Sequence, residues 1–268
     1  MNNIVVATDF SAASAQATMY AARIARETKS SLFIVNTYQI PVSMADMPVM
    51  MVSSEELKKG ADKSLRQTKD TVAESFPDIE IEIESRLGDV VDEVNDVCLQ
   101  KNPVAVVIGT KGYSGIEKLL FGNTLLALVR RCPFPVISVP ADARLEVPRN
   151  IVFATDLQNT EEVPSEKIIG FVKLLNAKLH IVHINTEKDD LEGSEQPLLN
   201  SLDAINPVFH SVSNEDVTEG LQQYVMQNSI DLLLTLPHKH SLYERLFFKL
   251  HTEGLIQNMP VPVACIQS

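Results

Sequence analysis

The sequence predicts an α/β fold built as two tandem, doubly wound copies of one small domain. Two observations carry this. First, apolar strand patterns alternate with helical patterns, which implies a mostly parallel sheet covered on both faces. Second, four landmarks return in the same order. IVVATDF (4–10) returns as IVFATDL (151–157), and SSLFIVNTY (30–38) as AKLHIVHIN (177–185). PVAVVIGTKG (103–112) stands against IDLLLTLPHK (230–239), and CPFPVISV (132–139) against MPVPVACI (259–266). PADARLEVPR (140–149) reads as a short linker, so the expected domains are 1–140 and 149–268. A linker this short makes the halves pack together.

In chain order, residues 3–8 form an apolar strand, and Ser11 is placed to cap an alanine-rich helix through about Lys29. Residues 31–37 form a second strand. The segment 38–53, with two prolines and several methionines, reads as a loop. Ser54 is the expected N-cap of a helix lasting to about Phe76. IEIESRL (81–87) alternates apolar and polar residues, the mark of a half-exposed strand, and Gly88 breaks it. Asp89 to Gln100 reads as a helix with Val90, Val94 and Val97 on one stripe. VAVVIG (104–109) is continuously apolar, as a strand buried on both faces would be. A helix is expected to open at Gly122 and run to about Arg131, and PVISV (135–139) closes the unit. The closing strands PVISV and PVACI are candidates for pairing at sheet edges, between the halves or between chains.

Composition narrows the function. The net charge of −12 and the lack of a basic stripe argue against nucleic acid or an anionic membrane as partner. A nucleotide stays open, because backbone N–H groups bind phosphate without net positive charge. The three cysteines, Cys98, Cys132 and Cys265, lie far apart among apolar residues with no CxxC spacing and read as buried reduced thiols. The N-terminus lacks a signal-peptide pattern, and no apolar run is long enough to span a bilayer. A cytoplasmic protein is expected.

In such sheets ligands bind beyond the carboxyl ends of the strands, at the switch point. Three loops matter there: after the first strand (Thr8, Asp9), after the second (Thr37, Tyr38), and from Gly109. The last reads GTKGYSGIEKLLFGNT (109–124), with glycines spaced Gly109-x2-Gly112-x9-Gly122. Glycine allows close backbone approach to a ligand. A helix opening at Gly122, Asn123 and Thr124 would offer free N–H groups to a phosphate. From the glycines alone, a phosphate cradle and a ligand-free turn stand level. The spacing is neither a Walker A motif nor a GxGxxG fingerprint.

That spacing, followed by a helix and Cys-Pro-Phe-Pro-Val, together with IVVATDFSAAS at the start and RLGDVVDEV before the fourth strand, resembles the universal stress protein family. The resemblance spans nearly all of 1–140 and, more weakly, 149–267. It implies a tandem member with a five-stranded parallel sheet per domain in the order 3-2-1-4-5, and ATP bound where the glycines are kept. By that likeness Thr8 and Asp9 would lie near the adenine or ribose, and Thr37 would line the adenine site. Gly109, Thr110, Lys111 and Gly112 would follow the ribose and phosphates, and Gly122, Asn123 and Thr124 would hold the phosphates. The chain departs from the family pattern at Asn123, where ATP binders usually carry Ser or Thr.

In the second copy the three glycine positions become Leu236, Lys239 and Lys249, so no ATP is expected there. Its expected role is structural or regulatory, as a built-in partner of the first. Other clusters read as ordinary surface or capping groups: His238, His240 and His251; Asp89, Asp92 and Glu93; Glu117 and Lys118. A metal site is not expected. His180 and His183 fall on opposite faces of a strand and cannot pair. No nucleophile–base arrangement is evident, so the chain is expected to act as a nucleotide-dependent regulatory or signalling module, with at most slow hydrolysis of ATP, Mg²⁺ accompanying it. The alternative is a nucleotide-free interaction or dimerisation scaffold. A further homodimer is compatible with either.

Overall fold

The structure, a computed structural model, describes residues 2–40, 53–110, 118–157, 159–186, 194–237, 259 and 261–267; for 118–123 the backbone alone is described. The first half runs β1 (Asn3–Ala7), α1 (Ala12–Thr28), β2 (Ser31–Tyr38), α2 (Ser54–Ser75), β3 (Ile81–Leu87), α3 (Val90–Lys101), β4 (Ala105–Thr110), α4 (Lys118–Arg131) and β5 (Val136–Pro140). The second runs β6 (Asn150–Ala154), α5 (Ser165–Leu174), β7 (Lys178–Asn185), the short α6 (Gln196–Ser201), β8 (Val208–Ser213), α7 (Val217–Gln227), β9 (Leu232–Thr235) and β10 (Val263–Cys265).

Local chemistry sets the helix ends. Ser11 caps α1, its hydroxyl accepting from the Ser14 amide at 3.3 Å, and Lys29 ends it in the left-handed region at φ 52°. The cap of α2 is Ser53 rather than the expected Ser54. Glu56 decides the difference: its amide donates to Ser53 Oγ at 3.2 Å while its carboxylate accepts from the Ser53 amide at 3.1 Å, a reciprocal box that Ser54 cannot form. Asp89 caps α3 through the Val91 amide at 2.9 Å, with Asp92 and Glu93 in the first turn, where acids favour the helix dipole.

Each half has the strand order 3-2-1-4-5 expected from the resemblance. The two are joined in one ten-stranded sheet, β3-β2-β1-β4-β5-β10-β9-β6-β7-β8. The seam is antiparallel, with Val263 opposite Ser138, Ala264 opposite Ile137 and Cys265 opposite Val136. Ser138 Oγ adds a bond to the Val263 carbonyl at 3.2 Å. The closing strands therefore pair within one chain. Left unpaired, each would present a row of open backbone groups.

Packing follows the sheet. On one face a single apolar cluster runs through both halves, from Ile4, Tyr20 and Ile137 to Phe153, Leu232 and Ala264. On the other face each half keeps its own cluster, one around Val94 and Leu128 and one around Val152 and Leu221. Polar ties reinforce the junction: Gln16 Nε2 donates to the Ala143 carbonyl at 2.8 Å, and Arg149 pairs with Glu27 while donating to the Leu175 carbonyl at 2.8 Å. The Tyr20 hydroxyl is buried with no hydrogen-bond partner, and burial first, then the charge of Asp231, push its pKa up so that it stays neutral.

Candidate functional site

The crossover through α1 runs from β1 to β2, while β4 lies on the other side of β1. The carboxyl ends of β1 and β4 thus flank the point where the chain direction reverses. Thr8 and Asp9 follow β1, Gly109 and Thr110 end β4, and Thr37 lies near the end of β2.

Thr8 is the hinge of this region. Its amide donates to the Val35 carbonyl at 2.9 Å. Its hydroxyl donates to Ser14 Oγ at 3.0 Å and accepts from the Phe10 amide at 3.1 Å. That last bond holds Phe10 at φ 63°, a left-handed conformation an aromatic residue adopts only under constraint. Asn36, buried in β2, donates from Nδ2 to the Thr8 carbonyl at 2.7 Å.

Asp9 projects outward beside this knot, and its carboxylate accepts from the Ser11 amide at 3.0 Å. Burial is the largest single influence on its pKa and would raise it. The Ser11 hydroxyl and amide, with the Ser14 hydroxyl, together outweigh burial and hold the pKa below 3.8. Asp9 is therefore an ionised acceptor at neutral pH, already oriented.

Gly109 has a packing role of its own. A Cβ there would meet the backbone of Ala13, so β4 ends pressed against the first turn of α1. Thr110 and Thr37 are half-buried. Thr37 neighbours Asn36 along the strand and so faces the opposite side of the sheet. Lys111 and Gly112 lie outside the described residues, as do His238, His240 and His251.

One expectation is corrected. The helix thought to open at Gly122 begins at Lys118, so Gly122, Asn123 and Thr124 lie one turn inside α4. The N–H groups freed by a helix start belong to the Lys118 turn instead. The reason is propensity: Lys118, Leu119, Leu120 and Phe121 can all be helical, and one interior glycine costs only about 1 kcal/mol relative to alanine.

The second half repeats the knot without the glycine. Register makes the equivalence explicit, since Ile4 pairs with Ala105 as Ile151 pairs with Leu232. Thr155 stands for Thr8, and its Oγ1 accepts from the Leu157 amide at 3.0 Å, with Leu157 at φ 59°. His183 stands for Asn36 and bonds the Thr155 carbonyl through Nδ1 at 3.1 Å. Leu236 stands for Gly109, and its side chain is buried in the shared cluster. Sequence reading missed Asn36 and His183. Each is a lone polar residue in an apolar strand, at the same distance from its Thr-Asp pair, which was the available signal.

The family model described as Universal stress protein family matches residues 1–140. A universal stress protein of Methanocaldococcus jannaschii is 28% identical over 140 residues, 51% of this chain and 80% of its own. Among solved structures, a universal stress protein from Archaeoglobus fulgidus superposes with a TM-score of 0.65 at 16% identity, covering 99% of this chain and 98% of its own. A protein from Pseudomonas aeruginosa does so with a TM-score of 0.57 at 12% identity, covering 100% and 92%. These two likenesses speak to the fold.

Proposed function

The chain belongs to the universal stress protein family, and on that premise we propose that it binds one adenine nucleotide, ATP, in a first domain (1–140) and acts as a cytoplasmic stress-response regulatory module. The observation that carries this is the meeting of Thr8, Asp9 and Gly109 at the switch point, at the head of the Gly109-x2-Gly112-x9-Gly122 spacing. Asp9 fits the nucleoside end, being ionised, exposed and held by Ser11. Thr8, Asp9 and Thr37 would hold the adenine and ribose. Gly109, Thr110, Lys111 and Gly112 would follow the ribose and phosphates, and Gly122, Asn123 and Thr124 would hold the phosphates with Mg²⁺. The domain of residues 149–268 would bind none, since Leu236 fills the place of Gly109, and would serve as its built-in partner.

The start of α4 at Lys118 favours the second reading, a scaffold without nucleotide, because a phosphate cradle at Gly122 needs the first turn of α4 to unwind. Calorimetric titration with ATP and with AMP, in Mg²⁺, decides between them for wild type and Gly122→Val. One equivalent bound by wild type and none by the variant supports the first reading. Two equivalents overturn the assignment of a silent second half. None at millimolar nucleotide sinks the ATP reading and leaves the scaffold.

A further inference from the structure

Cysteines that are far apart in sequence meet in the fold. Cys98 lies in the last turn of α3, and Cys132 directly follows α4. Both are fully buried in the same apolar cluster, and their thiols hydrogen-bond to each other. Cys265 on β10 belongs to that cluster too, but only burial acts on its thiol.

A surface groove of about 470 Å³ opens beside the pair. Its walls are the residues that flank the two cysteines: Asn95 and Leu99 on the Cys98 side, Arg131 and Pro133 on either side of Cys132. Asn95 is buried, and its Oδ1 has no hydrogen-bond partner. An orphan acceptor in the wall of a groove suits a small molecule bearing O–H donors. The groove thus brings a compact hydroxylic oxidant within one side-chain layer of two sulfurs already in contact.

We propose that Cys98 and Cys132 form a peroxide-sensitive thiol pair that closes to a disulfide between α3 and the end of α4. The reaction balances without a further reagent. A Cys132 thiolate attacks one oxygen of hydrogen peroxide, the O–O bond breaks, and the departing hydroxide takes a proton to become water. Cys132 is then a sulfenic acid. The Cys98 sulfur attacks the Cys132 sulfur, the S–S bond forms, the S–O bond breaks, and the hydroxide leaves with the Cys98 proton as a second water. The two sulfurs together lose two electrons and the peroxide gains them. Roles follow from surroundings: the bond from Cys98 is the largest influence on Cys132 and holds its thiol below 9.0 against burial, with the Phe134 backbone assisting, while Cys98 is pushed up. Closure ties α4, the helix that carries Gly122 to Thr124, to α3. This inference stands apart from the nucleotide reading.

The test uses the reduced full-length chain, exposed to hydrogen peroxide and quenched by thiol alkylation under denaturing conditions. Free thiols are expected to fall from three to one, with the mass lower by two hydrogens before alkylation. Trypsin without reductant is expected to join peptide 87–101 to peptide 132–144. Cys98→Ser and Cys132→Ser are each expected to abolish the cross-link, and Cys265→Ser to leave it intact. Should a serine variant fail to fold, the wild-type peptide map still decides. Three thiols retained, oxygen added without a cross-link, or a disulfide through Cys265 or between chains would overturn the proposal.

Discussion

A Cβ on Gly109 would stand 2.4 Å from the carbonyl oxygen of Ala13 and 2.8 Å from the Ser14 amide nitrogen. Backbone in a helix that Ser11 caps does not move aside cheaply, so the glycine is demanded by packing before any ligand arrives. Gly109→Ala is expected to destabilise the nucleotide-free chain by about 1–3 kcal/mol. Urea unfolding without nucleotide reads this directly. A midpoint equal to wild type would mean that α1 shifts freely at its first turn.

The Thr8 carbonyl is met by Asn36 Nδ2, and the equivalent Thr155 carbonyl by His183 Nδ1. Both polar side chains are buried. Asn36→Ala strips the bond and leaves an unpaired carbonyl, at an expected cost of about 1–3 kcal/mol. His183→Ala is expected to cost a similar amount in the other half. An Asn36→Ala chain as stable as wild type would mean that the lost bond is replaced, and that Thr8 does not depend on β2.

Much of this architecture was legible because it rests on periodicity and repetition. The apolar runs at 3–8 and 104–109 could be little else than strands buried on both faces, and the returning Thr-Asp at 155–156 fixed the second copy. Three features were not legible, each for a physical reason. The α2 cap moved by one residue because a carboxylate three positions on, Glu56, chooses between Ser53 and Ser54. The start of α4 moved because helix propensity outweighs one glycine. The Cys98–Cys132 contact depends on how α3 lies against α4, which no spacing along the chain encodes. The junction was half legible: the closing strands were visible as edges, while their choice of each other needed the full sheet.

His180 carries a pH dependence. Its ring stacks on His210, centroids 5.6 Å apart, and its Nδ1 shares a hydrogen bond with the Tyr224 hydroxyl at 3.3 Å. Burial first, then the proximity of His210 and Lys178, hold its pKa below 6.5. On acidification the unfolded chain therefore takes up this proton before the native chain does. The stability contribution is intact above 6.5, is lost as pH falls from there through the lowered native value, and changes no further below it. His180→Gln removes the titration, so its urea midpoint should fall less than that of wild type between about pH 8 and pH 5. Equal losses in both chains would assign the acid sensitivity to other groups.

The shared cluster makes the two halves one unfolding unit. Ile137 in β5 is fully buried and lies opposite Ala264 of β10, at the centre of the seam. The same cluster reaches Tyr20 on α1 and Phe153 on β6. A chain whose halves share a core cannot lose one without exposing apolar surface of the other, so calorimetry is expected to record a single thermal transition. Ile137→Ala leaves a cavity in that core and is expected to cost about 2–5 kcal/mol. Hydrogen exchange locates the loss. Amides of β2 and β7, on opposite sides of the seam, should lose protection to the same extent if the halves unfold together. Protection lost in β2 but kept in β7 would show that the seam joins the sheets without coupling their stability.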